Sequence, residues 1–262
     1  RKYWKISEQM MVKYCDLATC DSVNSCYHCS KKQSVQDQMK GMAEVKALNI
    51  PVGVSDFEKI RNGDFYYIDK TGLISQILDE KAEVTLITRP RRFGKTLGMS
   101  MLESRELFEG LEIAEHPELC EEWMNQYPTV FVSFRQVDGL DFAGAYDMLT
   151  WVISELYKKH LYLLDSDKID NSDKDIARQL VWGNASTKDT KGSLMLLTRM
   201  MQQYYGKPVI LLIDEYDVPV AKANSNGYYA EMLDVMKGLM QALKDNQALQ
   251  FAVVTGCLKI AK

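Results

Sequence analysis

The chain has 262 residues, of which 46% are hydrophobic, and it carries a formal net charge of −4 at pH 7. This length and apolar content suit one large α/β domain with a small appendage, and the acidic balance argues against a surface that coats nucleic acid, although a local basic patch stays open. The apolar runs are far shorter than the roughly 20 residues that cross a bilayer, and no secretory signal pattern opens the chain, so we expect a cytoplasmic protein without a membrane partner.

Residues 1–47 are polar and only weakly periodic, which predicts an N-terminal appendage. Four of the six cysteines lie in this segment: Cys15, Cys20, Cys26 and Cys29. A C-x-x-C turn brings two thiolates to one metal, so the four side chains are a candidate tetrahedral Zn²⁺ site. Because their spacing is not a standard zinc pattern, reduced free thiols and disulfides stay open as alternatives.

The main domain is expected over residues 48–262. A short helix is predicted over 70–80, and the apolar run Val84-Thr85-Leu86-Ile87-Thr88 predicts a buried strand directly after it. A second helix is predicted from Lys95 to about Phe108. Its N-terminal N–H groups would point at bound phosphates.

The segment between this strand and the second helix has the composition of a phosphate-binding loop. Residues 89–96 read R-P-R-R-F-G-K-T, and the last three match the end of the pattern G-x-x-x-x-G-K-[ST]. In such a loop backbone N–H groups wrap the phosphates, Lys95 reaches the β and γ oxygens, and Thr96 holds Mg²⁺. Arg89 stands where the pattern has its first glycine, so the head of the loop departs from the pattern.

The middle of the chain predicts one more strand and one long helix. The β-branched and aromatic run 128–134 predicts a strand, and a helix is predicted over 142–160. Residues 165–192 are polar, and we expect them to form a surface insertion with one short helix.

A second acidic motif follows further along the chain. Five apolar residues, 209–213, run into Asp214 and Glu215, the pattern of a buried parallel strand that delivers carboxylates to its C-terminal edge. The stripe Met232, Val235, Met236, Leu239, Met240 and Leu243 then predicts a helix that faces the core. Residues 251–255 predict the next strand. Alternating strands and helices of this kind predict a three-layer α/β fold with ligands at the strand C-termini.

Five segments of the sequence resemble one known family: 66–71, 88–97, 212–217, 243–246 and 255–256. They are similar to the prokaryotic AAA-ATPase-like family whose P-loop carries R-P-R-R-F-G-K-[ST], and the resemblance covers about residues 48–262. It implies a P-loop NTPase domain of the AAA/ASCE type, often joined to a C-terminal nuclease-like domain of the PD-(D/E)XK type. Because relatives continue past residue 262, we expect the chain to be truncated at its C-terminus.

The resemblance and the motifs together assign candidate roles for a reaction with Mg²⁺-ATP. The candidate nucleotide contacts are Arg91, Arg92, Phe93, Gly94, Lys95, Thr96 and Leu97. Asp214 would hold the same Mg²⁺ as Thr96, and Lys95 would neutralise phosphate charge. Glu215 would polarise the attacking water, with a surface acid as the alternative, and Thr255 would act as a sensor of the γ-phosphate, with an ordinary strand-ending threonine as the alternative.

Two segments keep more than one interpretation each. The loop arginines Arg89, Arg91 and Arg92 could contact phosphates, pair with acids of the domain or project to a partner. Tyr67, with its neighbours Asp69 and Lys70, lies where related ATPases cover the adenine. A core tyrosine beside a helix cap would give the same pattern.

The favoured function is therefore an ATPase that drives or switches an attached effector, such as a nuclease-like domain. A nucleotide-binding regulatory module with little or no hydrolysis is the alternative, because Arg89 replaces the first glycine. A zinc-stabilised adaptor that acts through residues 1–47 is a third hypothesis, and the oligomeric state stays open. For the sheet we predict the order P-loop strand, 251–255 strand, 209–213 strand, 128–134 strand, with residues 84–88 at an edge.

Overall fold

The computed structural model describes residue 49 and residues 57–63, 65–88, 108–123 and 126–257. The predicted appendage, its four cysteines, the predicted P-loop and the helix predicted after that loop lie outside the described residues. The described residues form a sheet, together with helices that cover both of its faces.

The described strands form one parallel sheet of four. They are β1 (Val84–Thr88), β2 (Thr129–Ser133), β3 (Val209–Asp214) and β4 (Leu249–Gly256). Their order across the sheet is β1-β4-β3-β2, and each neighbouring pair is parallel. This confirms the predicted strand order, and β1 lies at one edge of the described sheet as predicted.

Eight α-helices accompany the sheet in the described residues. They are α1 (Phe57–Asn62), α2 (Gly72–Asp79), α3 (Pro117–Trp123), α4 (Phe142–Lys158), α5 (Asn171–Val181), α6 (Thr187–Tyr205), α7 (Val218–Asn226) and α8 (Tyr229–Leu239). Short 3₁₀ helices lie at Glu112–Glu115, Leu161–Asp165 and Met240–Leu243. In the described part of the chain, no helix is both long enough and apolar enough to cross a membrane.

The helices divide into two layers because the central strand β3 is buried on both of its faces. Leu211 and Ile213 point into a core built with α4 to α8, whereas Ile210 and Leu212 point into a second core built with α1, α2 and α3. Side chains alternate between the two faces of a strand, so a continuous apolar run is what a strand covered on both faces requires. The result is the three-layer α/β fold that the sequence predicted.

The helix predicted from the methionine stripe is confirmed. Met232, Val235, Met236 and Leu239 are buried along α8, and Met240 and Leu243 pack against the same core from the 3₁₀ turn that follows. Their spacing places them on one side of the helix.

The prediction of a surface insertion over 165–192 is wrong in its main part. A short helix is present, but α5 buries Ala177, Leu180 and Val181 in the main core, and Ile169 just before it is buried as well. The residues from 187 onward already belong to the long helix α6. The polar composition is misleading because the buried side of α6 includes the hydroxyl residues Thr190 and Ser193.

Strand register brings the C-terminal ends of the four strands together at one edge of the sheet. Thr88, the last residue of β1, pairs with Gly256 of β4, and Ser133, the last residue of β2, pairs with Asp214 of β3. Parallel sheets bind ligands at this edge, so it is the place to look for a functional site.

Candidate functional site

Asp214 is the centre of the polar groups at this edge. It ends β3 and is fully buried. The hydroxyl of Thr255 on β4 donates a hydrogen bond to Asp214 Oδ1 at 2.5 Å, and the hydroxyl of Ser133 on β2 donates to Asp214 Oδ2 at 3.2 Å. Both neighbouring strands therefore hold the carboxylate in one orientation.

This environment suits a carboxylate that binds a metal through water. A buried carboxylate is costly unless it is hydrogen-bonded, and the two hydroxyl donors offset part of that cost. Carboxylate oxygens accept hydrogen bonds, so the contact that Asp214 could make with a hydrated metal ion is to one of the waters of that ion. The donor set of carboxylate and hydroxyl oxygens is that of a hard cation such as Mg²⁺.

Glu215 follows Asp214 in a different conformation and environment. Its backbone lies in the left-handed region with φ 54°, and its side chain is only half-buried. A left-handed conformation costs a non-glycine residue about 1–2 kcal/mol, and such residues cluster at functional sites. The turn lets the chain leave β3 so that Glu215 starts outside the sheet rather than pairing within it.

The end of β4 packs tightly against this turn, and we call residues 214–217 the acidic turn. The N–H of Tyr216 donates to the Thr255 carbonyl at 3.1 Å, and the N–H of Cys257 donates to Asp217 Oδ2 at 3.0 Å. A Cβ atom on Gly256 would lie 2.6 Å from Asp217 Oδ1 and 2.7 Å from Tyr216 Cε1. Only glycine fits at this position without moving the acidic turn.

The predicted P-loop begins directly beyond β1. Thr88 is the last described residue of that strand, and it lies beside Gly256. The predicted nucleotide contacts lie outside the described residues: Arg91, Arg92, Phe93, Gly94, Lys95, Thr96 and Leu97. Their roles stay predictions.

Of the predicted site residues that the structure describes, Asp214, Glu215 and Thr255 are brought together. Sequence reasoning missed Ser133 and Cys257, which contact Asp214 and Glu215 from the flanking strands. A signal for Ser133 was present, because it ends a predicted strand at the edge where Asp214 was expected. No pattern pointed to Cys257.

The segment around Asp69 forms a separate polar cluster. Asp69 accepts hydrogen bonds from the Thr71 N–H at 2.8 Å, the Thr71 hydroxyl at 2.7 Å and the Glu112 N–H at 2.6 Å. Burial alone would raise the pKa of Asp69, but these hydrogen bonds and the charge of Arg61 lower it below its ordinary value. The carboxylate thus ties the start of α2 to the first 3₁₀ turn.

Tyr67 lies beside this cluster and has a packing role. Its ring contacts Phe57 edge-on, with ring centroids 5.6 Å apart, and burial raises the pKa of its hydroxyl to about 12. The ring contact and the raised pKa are both expected of a core tyrosine beside a helix cap. The interpretation in which Tyr67, Asp69 and Lys70 cover an adenine stays a prediction.

Among the described residues, no group of three or more His, Cys, Asp or Glu side chains is arranged to hold a metal ion. A P-loop site does not need such a group, because Mg²⁺ is usually bound through one or two protein ligands together with phosphates and waters. The Zn²⁺ site proposed for Cys15, Cys20, Cys26 and Cys29 lies outside the described residues and stays a prediction.

Comparison with known proteins adds two findings. A family model with the description Predicted AAA-ATPase matches residues 51–262. A curated protein described as "Uncharacterized protein in vnfD 5'region", from Azotobacter chroococcum mcd 1, is 29% identical over 221 residues, which is 81% of this chain and 38% of that relative. The chain thus spans about two fifths of the length of this relative. No solved structure matches the chain.

Proposed function

Because the chain belongs to the AAA-ATPase-like family of predicted AAA-ATPases, we propose that it binds Mg²⁺-ATP and hydrolyses it. The nucleotide would lie at the C-terminal edge of the sheet. There the predicted P-loop after β1 would face the acidic turn after β3.

One observation carries this proposal. The strand order places β4 alone between β1 and β3, and the register aligns Thr88 with Gly256 at the ends of β1 and β4. Adjacent strands are about 4.8 Å apart, so the end of β1 at Thr88 lies about 10 Å from Asp214 across the sheet. The end of β1 and the acidic turn are therefore close enough for one molecule of Mg²⁺-ATP to contact the segments that follow both strands.

Each candidate residue has a distinct part in the proposal. Lys95 neutralises the β and γ oxygens, and Thr96 and Asp214 hold Mg²⁺, Asp214 through water. When bound, Mg²⁺ would stabilise the negative charge that develops on the phosphates. Glu215, next to the metal ligand and outside the sheet, accepts the proton of the attacking water.

The hydrogen bond from Thr255 to Asp214 supports a role for Thr255 in the same site. Its hydroxyl orients Asp214, and a change in phosphate or metal occupancy would reach β4 through this contact. We propose that Thr255 senses the nucleotide state in this way, and that Ser133 supports Asp214 from the opposite side.

Coupling to an effector is a further part of the proposal. The curated relative is much longer than this chain, which supports a role as one domain of a larger protein. We propose that residues 48–262 form the ATPase domain, with residues 1–47 as an appendage. The attached effector, whether nuclease-like or another domain, would respond to nucleotide state.

A regulatory module that binds ATP without turnover is the second candidate. Arg89 favours it, because an arginine in place of the first glycine removes the flexible residue that usually makes the first turn of the loop. Both candidates require binding, but only the first requires phosphate release.

Two measurements on the full chain separate the candidates. Calorimetric titration with ATP and Mg²⁺ measures binding, and a coupled assay measures release of inorganic phosphate. Lys95→Ala should weaken binding at least about tenfold, because a charge-assisted contact to phosphate is lost. Binding that Lys95→Ala leaves unchanged would contradict both candidates, and tight binding without phosphate release would favour the regulatory module.

A further inference from the structure

Cys257 contacts the acidic turn through two different groups. It follows β4 directly, and its thiol lies 3.9 Å from Glu215 Oε2, within reach of an S–H···O hydrogen bond. Its backbone N–H donates to Asp217 Oδ2 at 3.0 Å. One residue thus touches the acidic turn on both sides of Tyr216.

The packing around Cys257 holds its backbone beside Glu215. Gly256 has no room for a side chain against Tyr216 and Asp217, and the N–H of Tyr216 is bonded to the Thr255 carbonyl at 3.1 Å. Because the backbone of residues 255–257 is held against the acidic turn at these points, the Cβ atom of Cys257 stays close enough to Glu215 for the thiol to reach Oε2.

The chemistry of a thiol suits this place. A half-buried glutamate has several rotamers, and a general base must be held in one of them to accept a proton efficiently. A thiol is a weak donor, so it orients the carboxylate with little effect on its charge.

We propose that Cys257 is a positioning residue for Glu215. Its thiol donates a hydrogen bond to Glu215 Oε2 and so selects the rotamer in which the carboxylate faces the attacking water. The contact itself is independent of turnover. Its kinetic consequence rests on the proposed ATPase function, in which Glu215 is the base.

The contact is tested by thiol alkylation of the full chain, without any nucleotide. Iodoacetamide reacts at the sulfur of Cys257. A thiol whose proton is held by a charged carboxylate reacts more slowly than one held by the weaker, neutral oxygen of a glutamine side chain. Alkylation of Cys257, followed by mass spectrometry of its peptide, should be about threefold or more faster in Glu215→Gln than in the parent chain. Cys120, whose thiol donates to the Ile113 carbonyl at 3.4 Å, is the internal control and should react equally in both.

The kinetic arm compares Cys257→Ala with Cys257→Ser. Loss of the donor in Cys257→Ala should lower kcat for ATP hydrolysis about fivefold or more with an unchanged KM, because misplaced catalytic groups cost rate rather than binding. Cys257→Ser keeps a donor and should recover most of kcat. A role limited to packing would instead lower the unfolding temperature of both variants and leave kcat unchanged.

The two arms also separate failure of the inference from failure of the proposed function. Equal alkylation of Cys257 in the parent chain and in Glu215→Gln would overturn the contact, and parent-like kcat in Cys257→Ala would overturn the positioning role. A parent chain that releases no phosphate would refute the ATPase proposal, and the alkylation comparison would still decide whether the thiol holds Glu215.

Discussion

Asp214 and Glu215 are adjacent in sequence but lie in opposite environments. Asp214 is sealed within the sheet and held by hydroxyl groups from two strands, whereas Glu215 has left the sheet in a left-handed conformation and is half-buried. A rigid, buried carboxylate suits a fixed metal–water contact, and a more accessible one suits proton transfer. The difference in burial therefore assigns the two acids to different parts of the proposed reaction.

The role of Glu215 predicts that binding and turnover can be separated by one substitution. Glu215→Gln keeps the shape of the side chain but cannot accept a proton, so ATP affinity should stay close to that of the parent while phosphate release falls about 10²- to 10⁴-fold. Titration calorimetry and a phosphate-release assay measure the two quantities. Glu231→Gln, an exposed change on α8, is the matched control and should behave like the parent. Release at the parent rate in Glu215→Gln would exclude this residue as the base.

The hydrogen bond from Thr255 to Asp214 predicts a measurable contribution to stability. Thr255→Val keeps the shape of a fully buried side chain but removes the donor to Asp214 Oδ1, so the free energy of unfolding should fall by about 1–3 kcal/mol. Thr255→Ser keeps the hydroxyl and should restore part of this loss. Urea denaturation of the three proteins measures the difference. A valine variant as stable as the parent would show that this hydrogen bond contributes nothing net.

Helices and strands could be predicted from the sequence where their buried side chains are apolar. The strands β1, β3 and β4 are apolar runs, and their type and order followed from that pattern and from the family resemblance. The start of α6 was missed because part of its buried side consists of Thr190, Ser193 and Thr198, which do not form an apolar stripe. Contacts of the site that cross between strands, such as Ser133 with Asp214, depend on the pairing register, which the apolar pattern of buried strands does not reveal by itself.

A partly buried ion pair joins α5, which was predicted to lie in a surface insertion, to α6. Asp173 at the start of α5 accepts two hydrogen bonds from Arg199 on α6, at 2.7 and 3.0 Å. The hydrogen bonds to Asp173 raise the pKa of Arg199 above its ordinary value. The carboxylate is 11% exposed and the guanidinium 47%, so the pair is screened by water on one side only.

This geometry predicts that Asp173 matters more than a comparable surface acid. Asp173→Ala should lower the free energy of unfolding by about 1–2 kcal/mol, a value reduced from that of a fully buried pair because Arg199 is half-exposed. Asp175→Ala is the matched control on the same helix, since Asp175 pairs with Arg178 in a contact with both partners exposed, and it should cost less than about 0.5 kcal/mol. Equal losses in the two variants, measured by urea denaturation, would refute a special role for the Asp173–Arg199 pair.

For the whole molecule, the proposed nucleotide site connects parts of the chain that are far apart in sequence. Asp214 and Glu215 follow β3, Thr255 ends β4, and the predicted P-loop follows β1 at the edge of the described sheet. A ligand that contacts all three regions binds only the folded chain. By mass action, such a ligand stabilises the folded state against unfolding.

We therefore expect Mg²⁺-ATP to raise the unfolding temperature whether or not it is hydrolysed. At about 100 times the dissociation constant, the added stability is about 2.7 kcal/mol, which for a domain of this size corresponds to a rise of about 5–10 °C. Differential scanning fluorimetry of the full chain, with and without Mg²⁺-ATP, measures it. Lys95→Ala should lose most of the rise because it removes the phosphate contact, whereas Glu215→Gln should keep it. An equal rise in Lys95→Ala and in the parent would mean that ATP stabilises the chain from a site other than the predicted P-loop.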